Sequence, residues 1–353
     1  MSPGKIVVGH QALSRFIGDA LVACGACAAD AAIVAEGLVW ANLRGVDGHG
    51  VSRLPFYLQM IERGEIDPAA RPQLVHDRAA TFVLDGGHGF GPVAMMQAIA
   101  MATERARTAG ACFGLLRQTT HTGAIGRYAQ WMAARGCAAL IMVAGPAFVA
   151  YHGARVASVG TSPIAIAVPS GDGPIVLDMA TSAISNGKIL QARATGAELP
   201  PGTVLTAAGE PTTDPRLAEI LLPLGGPKGS GLALMFEMLA SVLAAAPIQA
   251  PALGPQQRRR LTQNCAILAI AIETFRPLKD FVGDADTLAA ILKALPRQAK
   301  FDEILLPGER SDRTEATRRK SGIPIPPKLW EELEGIAKAH SIKLPALLSA
   351  PTE

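Results

Sequence analysis

The sequence predicts a mixed α/β (α+β) protein, and three observations predict it. Amphipathic helical spacing occupies both ends of the chain. Short apolar runs of strand length, separated by glycine-rich turns, occupy the middle. Of the 353 residues 49% are hydrophobic and only 18% charged, which supplies an ample core and argues against a disordered chain. The length suits one large domain or two of ordinary size.

The elements follow in order. Between Gln11 and Cys24, Leu13, Phe16, Ile17, Ala20 and Leu21 recur at helical spacing. Asp30 is placed to cap a second helix reaching about Leu43. Gly45, Gly48 and Gly50 interrupt it with a tight backbone, and a third helix is expected over Val51 to Arg63, stopped by Gly64. Thr81 to Leu84 reads as a strand, Gly86 to Gly91 as a turn and Val93 to Thr108 as a helix. Strands are expected at Cys112 to Leu116, Ala138 to Val143, Ile164 to Val168 and Ile175 to Leu177, with helices at Tyr128 to Ala134 and Lys188 to Ala192. This βα spacing that turns strand-rich gives the class. Pro200 to Pro215 reads as an exposed excursion, followed by a long helix from Gly231 to about Ala245 and a strand at Cys265 to Ile272. Gly308 to Lys320 is strongly charged, and Lys328 to His340 is a last amphipathic helix. Helices at both ends suggest that the termini pack together around a central sheet domain.

Charge and cysteine content exclude several classes. A net charge of +3 gives no electrostatic footprint for nucleic acid. The dense basic run Arg258-Arg259-Arg260 reads as a solvated loop. No apolar stretch reaches the length of a membrane span, and the N-terminal apolar run is too short for a signal peptide, so a cytoplasmic location is expected. Five cysteines, an odd number, read as reduced thiols. Cys24 and Cys27 form a C-x-x-C without a second ligand pair, so small buried side chains are expected rather than zinc.

Four places could carry chemistry. In Asp47-Gly48-His49-Gly50-Val51-Ser52-Arg53, followed by Tyr57, the spacing gathers an imidazole, a guanidinium and a phenol. A guanidinium fork matches a carboxylate, and an imidazole can move a proton near neutrality. The same residues also fit a capped helix with a surface arginine. Thr119 to Gly123 places His121 in a loop between a buried strand and a helix, where α/β proteins carry function. Leu224 to Gly231 sets glycines and Lys228 before a helix, which suits an anion, but it is not a Walker A loop. Gly160-Thr161-Ser162-Pro163 precedes Asp178 to Ser182, where Asp178 could orient an imidazole and Thr181-Ser182 could cap a helix. Gly87 to Gly91 has the wrong spacing for a Rossmann fingerprint.

Taken together, Asn42 to Pro55, His121-Thr122-Gly123, Gly160 to Pro163, Asp178 to Ser182, Pro223 to Gly229 and Pro307 to Arg310 resemble the type-2 malate/L-lactate dehydrogenase family, in its order and spacing from about residue 6 to 340. The resemblance implies a nicotinamide-binding domain on a mainly antiparallel central sheet, not a Rossmann unit, plus a helical domain from both chain ends. The boundaries expected are 1–75 with 310–353 for the helical domain and 76–309 for the sheet domain. It implies a homodimer that moves a hydride between NAD or NADP and C2 of a small 2-hydroxy or 2-oxo carboxylic acid, or of a cyclic 2-imino acid. His49 and His121 match the histidines of proton transfer, and Arg53 the carboxylate-binding residue, with Tyr57 and Thr161 beside it. Asp178 is assigned to catalysis and, with Met179, Ala180, Thr181, Lys228, Gly229, Gly308 and Glu309, to the cofactor. No metal and no nucleic-acid or membrane partner is implied. Gly48 stands where the family commonly has Ser, and Gly145-Pro146 where some members have a polar or basic residue. Both departures suit a less polar substrate such as a cyclic imino acid. Two other classes compete: a metal-dependent lyase or hydrolase using Asp47, His49, His88, His121 or His152, and a dimeric binding protein without turnover.

Overall fold

A computed structural model describes residues 6–247 and 262–348; the Arg258 to Arg260 run lies outside them. The chain opens with strand β1 (Ile6–Val8) and helices α1 (His10–Ala23), α2 (Ala28–Leu43) and α3 (Leu54–Glu62). Between α2 and α3 lie two 3-10 turns, Asp47–His49 and Val51–Arg53. The expected third helix therefore begins three residues late, because Gly50 keeps the chain from entering helix directly. Gly64, with φ of 69°, ends it as expected. Asp30 does not cap α2. Cys27 does, its sulfur accepting from the Asp30 N–H, while the Asp30 carboxylate pairs with Arg71 at 2.6 Å. Cys27 is therefore exposed rather than buried, and Cys24 is half-buried; Cys112, Cys137 and Cys265 are buried as expected, and all five are free thiols.

The middle of the chain supplies β2 (Gln73–Asp77), β3 (Thr81–Asp85), α4 (Gly91–Ala109), β4 (Ala111–Thr119), α5 (Gly126–Ala133) and β5 (Cys137–Ala144). Then follow β6 (Val149–Ala150), β7 (Ala157–Val159), β8 (Ile164–Val168), β9 (Ile175–Met179), α6 (Asn186–Thr195), β10 (Val204–Leu205) and β11 (Ile220–Leu221). The last part holds α7 (Pro227–Glu237), β12 (Gln263–Ala271), α8 (Leu278–Lys293), α9 (Glu309–Ser321), β13 (Ile323–Ile325) and α10 (Pro327–His340). Helix α7 starts inside the glycine run, at Pro227, whose fixed φ suits a first helical turn. It continues through a wider π-type turn at Met238–Val242. The excursion expected at Pro200 to Pro215 is instead anchored. Leu199, Val204 and Leu205 are buried, and β10 pairs with β11 in a small sheet of order β10-β11-β6-β7.

The main sheet has seven strands in the order β2-β3-β4-β12-β5-β8-β9. The β3–β4 pair is parallel, and every other pair in it is antiparallel. Helices α4 and α5 cover one face, burying Met95, Ile99, Tyr128 and Met132 against Leu84, Leu116, Ile141 and Ile267. The other face meets Phe236, Ala240 and Ala244 from α7 and its extension. A separate core joins α1, α2 and α3 to β1, β13 and α10, with Phe16, Leu38, Leu54, Ile323 and Leu333 among its buried members. Strands β1 and β13 pair antiparallel and so bring the two ends of the chain together. Because β4 and β5 both run antiparallel to β12, and β8 lies antiparallel between β5 and β9, one end of the sheet collects the exits of β4, β5 and β9 and the entries of β8 and β12. The segments singled out from the sequence lie at that end.

Candidate active site

The turn carrying His49 and Arg53 is held from beneath by Asn42 of α2. The Asn42 side chain accepts from the Val51 N–H at 2.7 Å and donates to the Asp47 carboxylate at 2.7 Å. A Cβ on Gly50 would lie 2.3 Å from the Asn42 amide, so only glycine fits there. Arg318 of α9 closes the turn from outside, with bonds of 2.6 and 3.0 Å to the Asp47 carboxylate. Asp47 is thus structural. Arg53 donates its Nε to the Gly48 carbonyl at 2.6 Å, which aims the guanidinium fork. Among the described residues that fork has no ion-pair partner.

His121 leaves β4 in a loop fixed on three sides. The Thr120 hydroxyl donates to the Gly89 carbonyl at 2.8 Å. The Thr122 N–H and hydroxyl both donate to the Gln263 side chain, at 2.8 and 2.9 Å. The Tyr128 hydroxyl donates to the Thr122 carbonyl at 2.6 Å. Below, Gly91 opens α4, and a Cβ there would lie 2.4 Å from the His121 carbonyl. The His121 ring stacks on His49 with centroids 5.5 Å apart and planes 14° from parallel. Tyr57 is buried and its hydroxyl lies 2.7 Å from His121 Nδ1, so it touches the imidazole rather than standing free for substrate. Burial and the nearby Arg53 charge pull His49 down to about 4. Burial, then His49 and Arg53, hold His121 well below the usual histidine range.

Asp178 does not orient either histidine. Its carboxylate accepts from the Gly126 N–H at 2.7 Å, at the start of α5, and so pins the loop that carries His121. Burial of the carboxyl among the surrounding protein pushes it up to about 6, against the opposing Gly126 bond and the Arg44 charge. Thr181 does not cap a helix. Its N–H and hydroxyl donate to the Thr161 carbonyl at 2.9 and 3.0 Å, joining the two segments. Ser182 bonds the Ile184 carbonyl, and Ser185 caps α6. The Leu224 N–H donates to the Thr181 carbonyl at 2.8 Å, and a Cβ on Gly229 would lie 2.6 Å from the same oxygen. Gly308, with φ of 93°, sits where a Cβ would be 3.1 Å from the Val176 carbonyl of β9. Thus Met179, Ala180, Thr181, Lys228, Gly229 and Gly308 border one strand. Glu309 is engaged by Lys293 and the Leu306 N–H.

The glycine run before α7 does not present a row of free amides. Gly226, Gly229 and Ser230 N–H groups bond the Pro223, Leu224 and Gly226 carbonyls. Lys228 in this run is exposed and makes no ion pair among the described residues. Nearby, the Ser162 hydroxyl is buried and has no hydrogen-bond partner among the described residues, at a strained φ of 37°. An orphaned hydroxyl, a free ammonium and three converging segments fit a polar dinucleotide at this edge. Among the described residues no group of three or more His, Cys, Asp or Glu could hold a metal ion. Gln263, Gly91 and Arg318 escaped the sequence reading of function, since only long-range contacts reveal what they hold, while Asn42 stood in the Asn42 to Pro55 motif without a role.

The model of the malate/L-lactate dehydrogenase family matches residues 8–334. A malate dehydrogenase of Pyrococcus abyssi is 34% identical over 344 residues, 94% of each chain. A delta(1)-pyrroline-2-carboxylate/delta(1)-piperideine-2-carboxylate reductase of Pseudomonas putida is 38% identical over 224 residues, 62% of this chain and 65% of that one. The crystal structure of malate dehydrogenase from Entamoeba histolytica superposes with a TM-score of 0.92 at 27% identity, covering 97% of this chain and all of that one. With two imidazoles and an aimed guanidinium at one end of a shared fold, the chain is an oxidoreductase and belongs to the malate/L-lactate dehydrogenase family.

Proposed function

We propose that the protein interconverts a small 2-oxo and 2-hydroxy carboxylic acid with NAD or NADP. The observation that carries this is an unpaired guanidinium, Arg53, beside two stacked imidazoles at the end of the sheet. When bound, the nicotinamide supplies or takes the hydride at C2 of the acid. Asp178, Met179, Ala180 and Thr181, with Lys228, Gly229, Gly308 and Glu309, would hold it along β9, without a Rossmann unit. Arg53 grips the carboxylate and fixes where C2 lies. His121 faces the reacting oxygen and, with His49 as second donor, delivers its proton as charge builds. Thr161 would border the substrate. Asp178 keeps the His121 loop in place through Gly126.

The proton source follows from the electrostatics. Burial first, and then the Arg53 charge, with His49 also acting on His121, disfavour the charged form of both imidazoles in the free protein. A bound carboxylate offsets the guanidinium charge and so favours a proton on the imidazole pair when substrate is present.

A second reading, reduction of cyclic 2-imino acids, is favoured by Gly48. A Cβ there would meet only the Gly187 Cα, at 3.9 Å, so a slot without a side chain opens beside His49. We also propose a helical domain (1–75 with 310–353) and a nicotinamide-binding domain (76–309), which the separate apolar cores support. Exposed apolar stripes on α7 and α8 support a homodimer. No helix among the described residues is long and apolar enough to cross a membrane, and five free thiols support a cytoplasmic setting.

Nicotinamide absorbance tests the proposal, with NADH and NADPH each run against oxaloacetate, pyruvate, piperideine-2-carboxylate and pyrroline-2-carboxylate. Oxidation with a keto acid is expected. Oxidation with the imines alone would install the second reading, and silence throughout, with no binding of either cofactor, would overturn both.

A further inference from the structure

Tyr57 Oη makes one hydrogen bond among the described residues, to His121 Nδ1 at 2.7 Å. A phenol carries one hydrogen, and the neutral imidazole carries one on either Nδ1 or Nε2. Two arrangements satisfy the distance. In one, the phenol donates to a bare Nδ1. In the other, an Nδ1–H donates to the phenol oxygen, and the phenol hydrogen is then left buried without an acceptor, which is unfavourable. Tyr57 is 1% exposed, so water does not rescue the second arrangement. Its burial also raises its ionisation well above the usual tyrosine range, so the hydrogen stays on the phenol.

We infer that Tyr57 is a positioning residue that donates to His121 Nδ1 and thereby fixes the hydrogen of the resting imidazole on Nε2, the nitrogen left free for the substrate. The inference rests on the oxidoreductase reading for its use, but not for its geometry. His121 Nε2 has no partner among the described residues, while Nδ1 is committed. When the ring takes up a proton, Nδ1–H donates back to the phenol oxygen and Nε2–H is unchanged. His121 thus meets the substrate oxygen or nitrogen with an N–H in either charge state before transfer. A neutral imidazole aimed in this way already stabilises developing negative charge. The charged and titratable groups facing the ring are His49 and Arg53 from the turns at 47–53 and Tyr57 from α3. No carboxylate bonds to it among the described residues.

The experiment uses the full chain with 15N-labelled histidine. Long-range proton–nitrogen spectra of the free protein report which ring nitrogen carries hydrogen, and the His121 signal is assigned by its loss in His121→Gln. The expected result is a protonated Nε2 and a bare Nδ1 in the native protein, and a mixed or reversed tautomer in Tyr57→Phe. In turnover, Tyr57→Phe lowers kcat by about tenfold or more with little change in KM, because Arg53 still holds the carboxylate. Its proton-dependent limb in kcat moves to higher pH, since removing a donor to the neutral ring favours the charged one. A hydrogen on Nδ1 in the native protein overturns the inference, whatever Tyr57→Phe does. So does a Tyr57→Phe protein that keeps tautomer, kcat and pH profile while its thermal midpoint falls. A protein inactive on the four acids named above but with the expected tautomer would sink the 2-oxo and 2-imino acid readings and leave Tyr57 where it is placed here.

Discussion

At the scale of single residues, the two imidazoles and one guanidinium make opposite demands that substrate resolves. Burial first, and the Arg53 charge after it, disfavour a proton on His49 and His121, and on the proposed reading a bound carboxylate would offset the Arg53 part. The sign of the pH dependence follows. With its resting value near 4, His49 is neutral above that pH in the free protein. In the reducing direction kcat/KM, which reports the free protein, therefore falls with rising pH from a low starting point. The kcat profile, which reports the loaded protein, falls at higher pH. Rate profiles at saturating and limiting acid check this, and coincident limbs would refute the coupling to Arg53. Replacing Arg53 by Ala removes both the grip and the repulsion. Expected are a loss in kcat/KM of about 100-fold or more, from one charge-assisted bidentate contact, and a His49 ionisation that returns toward its ordinary range. Activity assays and histidine titration by NMR measure the two effects separately.

At the scale of elements, the site depends on backbone contacts that side chains cannot tune. Gly91 begins α4 directly under His121, with a built Cβ 2.4 Å from the His121 carbonyl. Gly91→Ala must therefore displace the loop or the helix. We expect kcat to fall by about 10- to 100-fold with a thermal midpoint lowered by several degrees, consistent with about 1–3 kcal/mol of local strain. Unchanged turnover in a folded Gly91→Ala protein would mean that the loop does not position His121. These contacts explain what the sequence could and could not tell. Helices α1, α2, α4 and α10 and strands β4, β5 and β8 were legible because their apolar periodicity reaches the core they join. Strand β2 was not, since every residue in it is exposed. Nor was α8, which buries none of its residues, nor the short strands β10 and β11, whose pairing partners lie far along the chain. At the site, His49, Arg53 and His121 were legible as residue types in a motif. Their companions Gln263 and Arg318 act through hydrogen bonds to segments 141 to 276 positions away, which no local pattern encodes.

At the scale of the whole molecule, α7 with its extension and α8 each leave a stripe of apolar side chains uncovered among the described residues. Helix α7 lies with one side on the sheet, and outward it shows Leu232, Met235, Met238 and Val242, exposed by 42 to 54%. Helix α8 shows Leu288, Ile291 and Leu292, exposed by 39 to 58%. Grouped side chains of this size mark an interaction surface more often than a solvated face. A second copy of the chain is the occupant that the proposed homodimer requires, and it would cover a stripe by a self-complementary contact, each copy presenting the same patch. A charge placed within such a contact is strongly unfavourable because it loses its water without a partner. Two variants separate the stripes: Met235→Glu with Met238→Glu on α7, and Leu288→Glu with Ile291→Glu on α8. Neither pair touches a buried core position, so both proteins are expected to fold with near-native thermal midpoints. Sedimentation velocity should find the native chain at twice its monomer mass, and the variant that carries charge in the true contact at the monomer mass. A monomeric native protein, or two variants that both remain dimers, would remove these stripes as the interface.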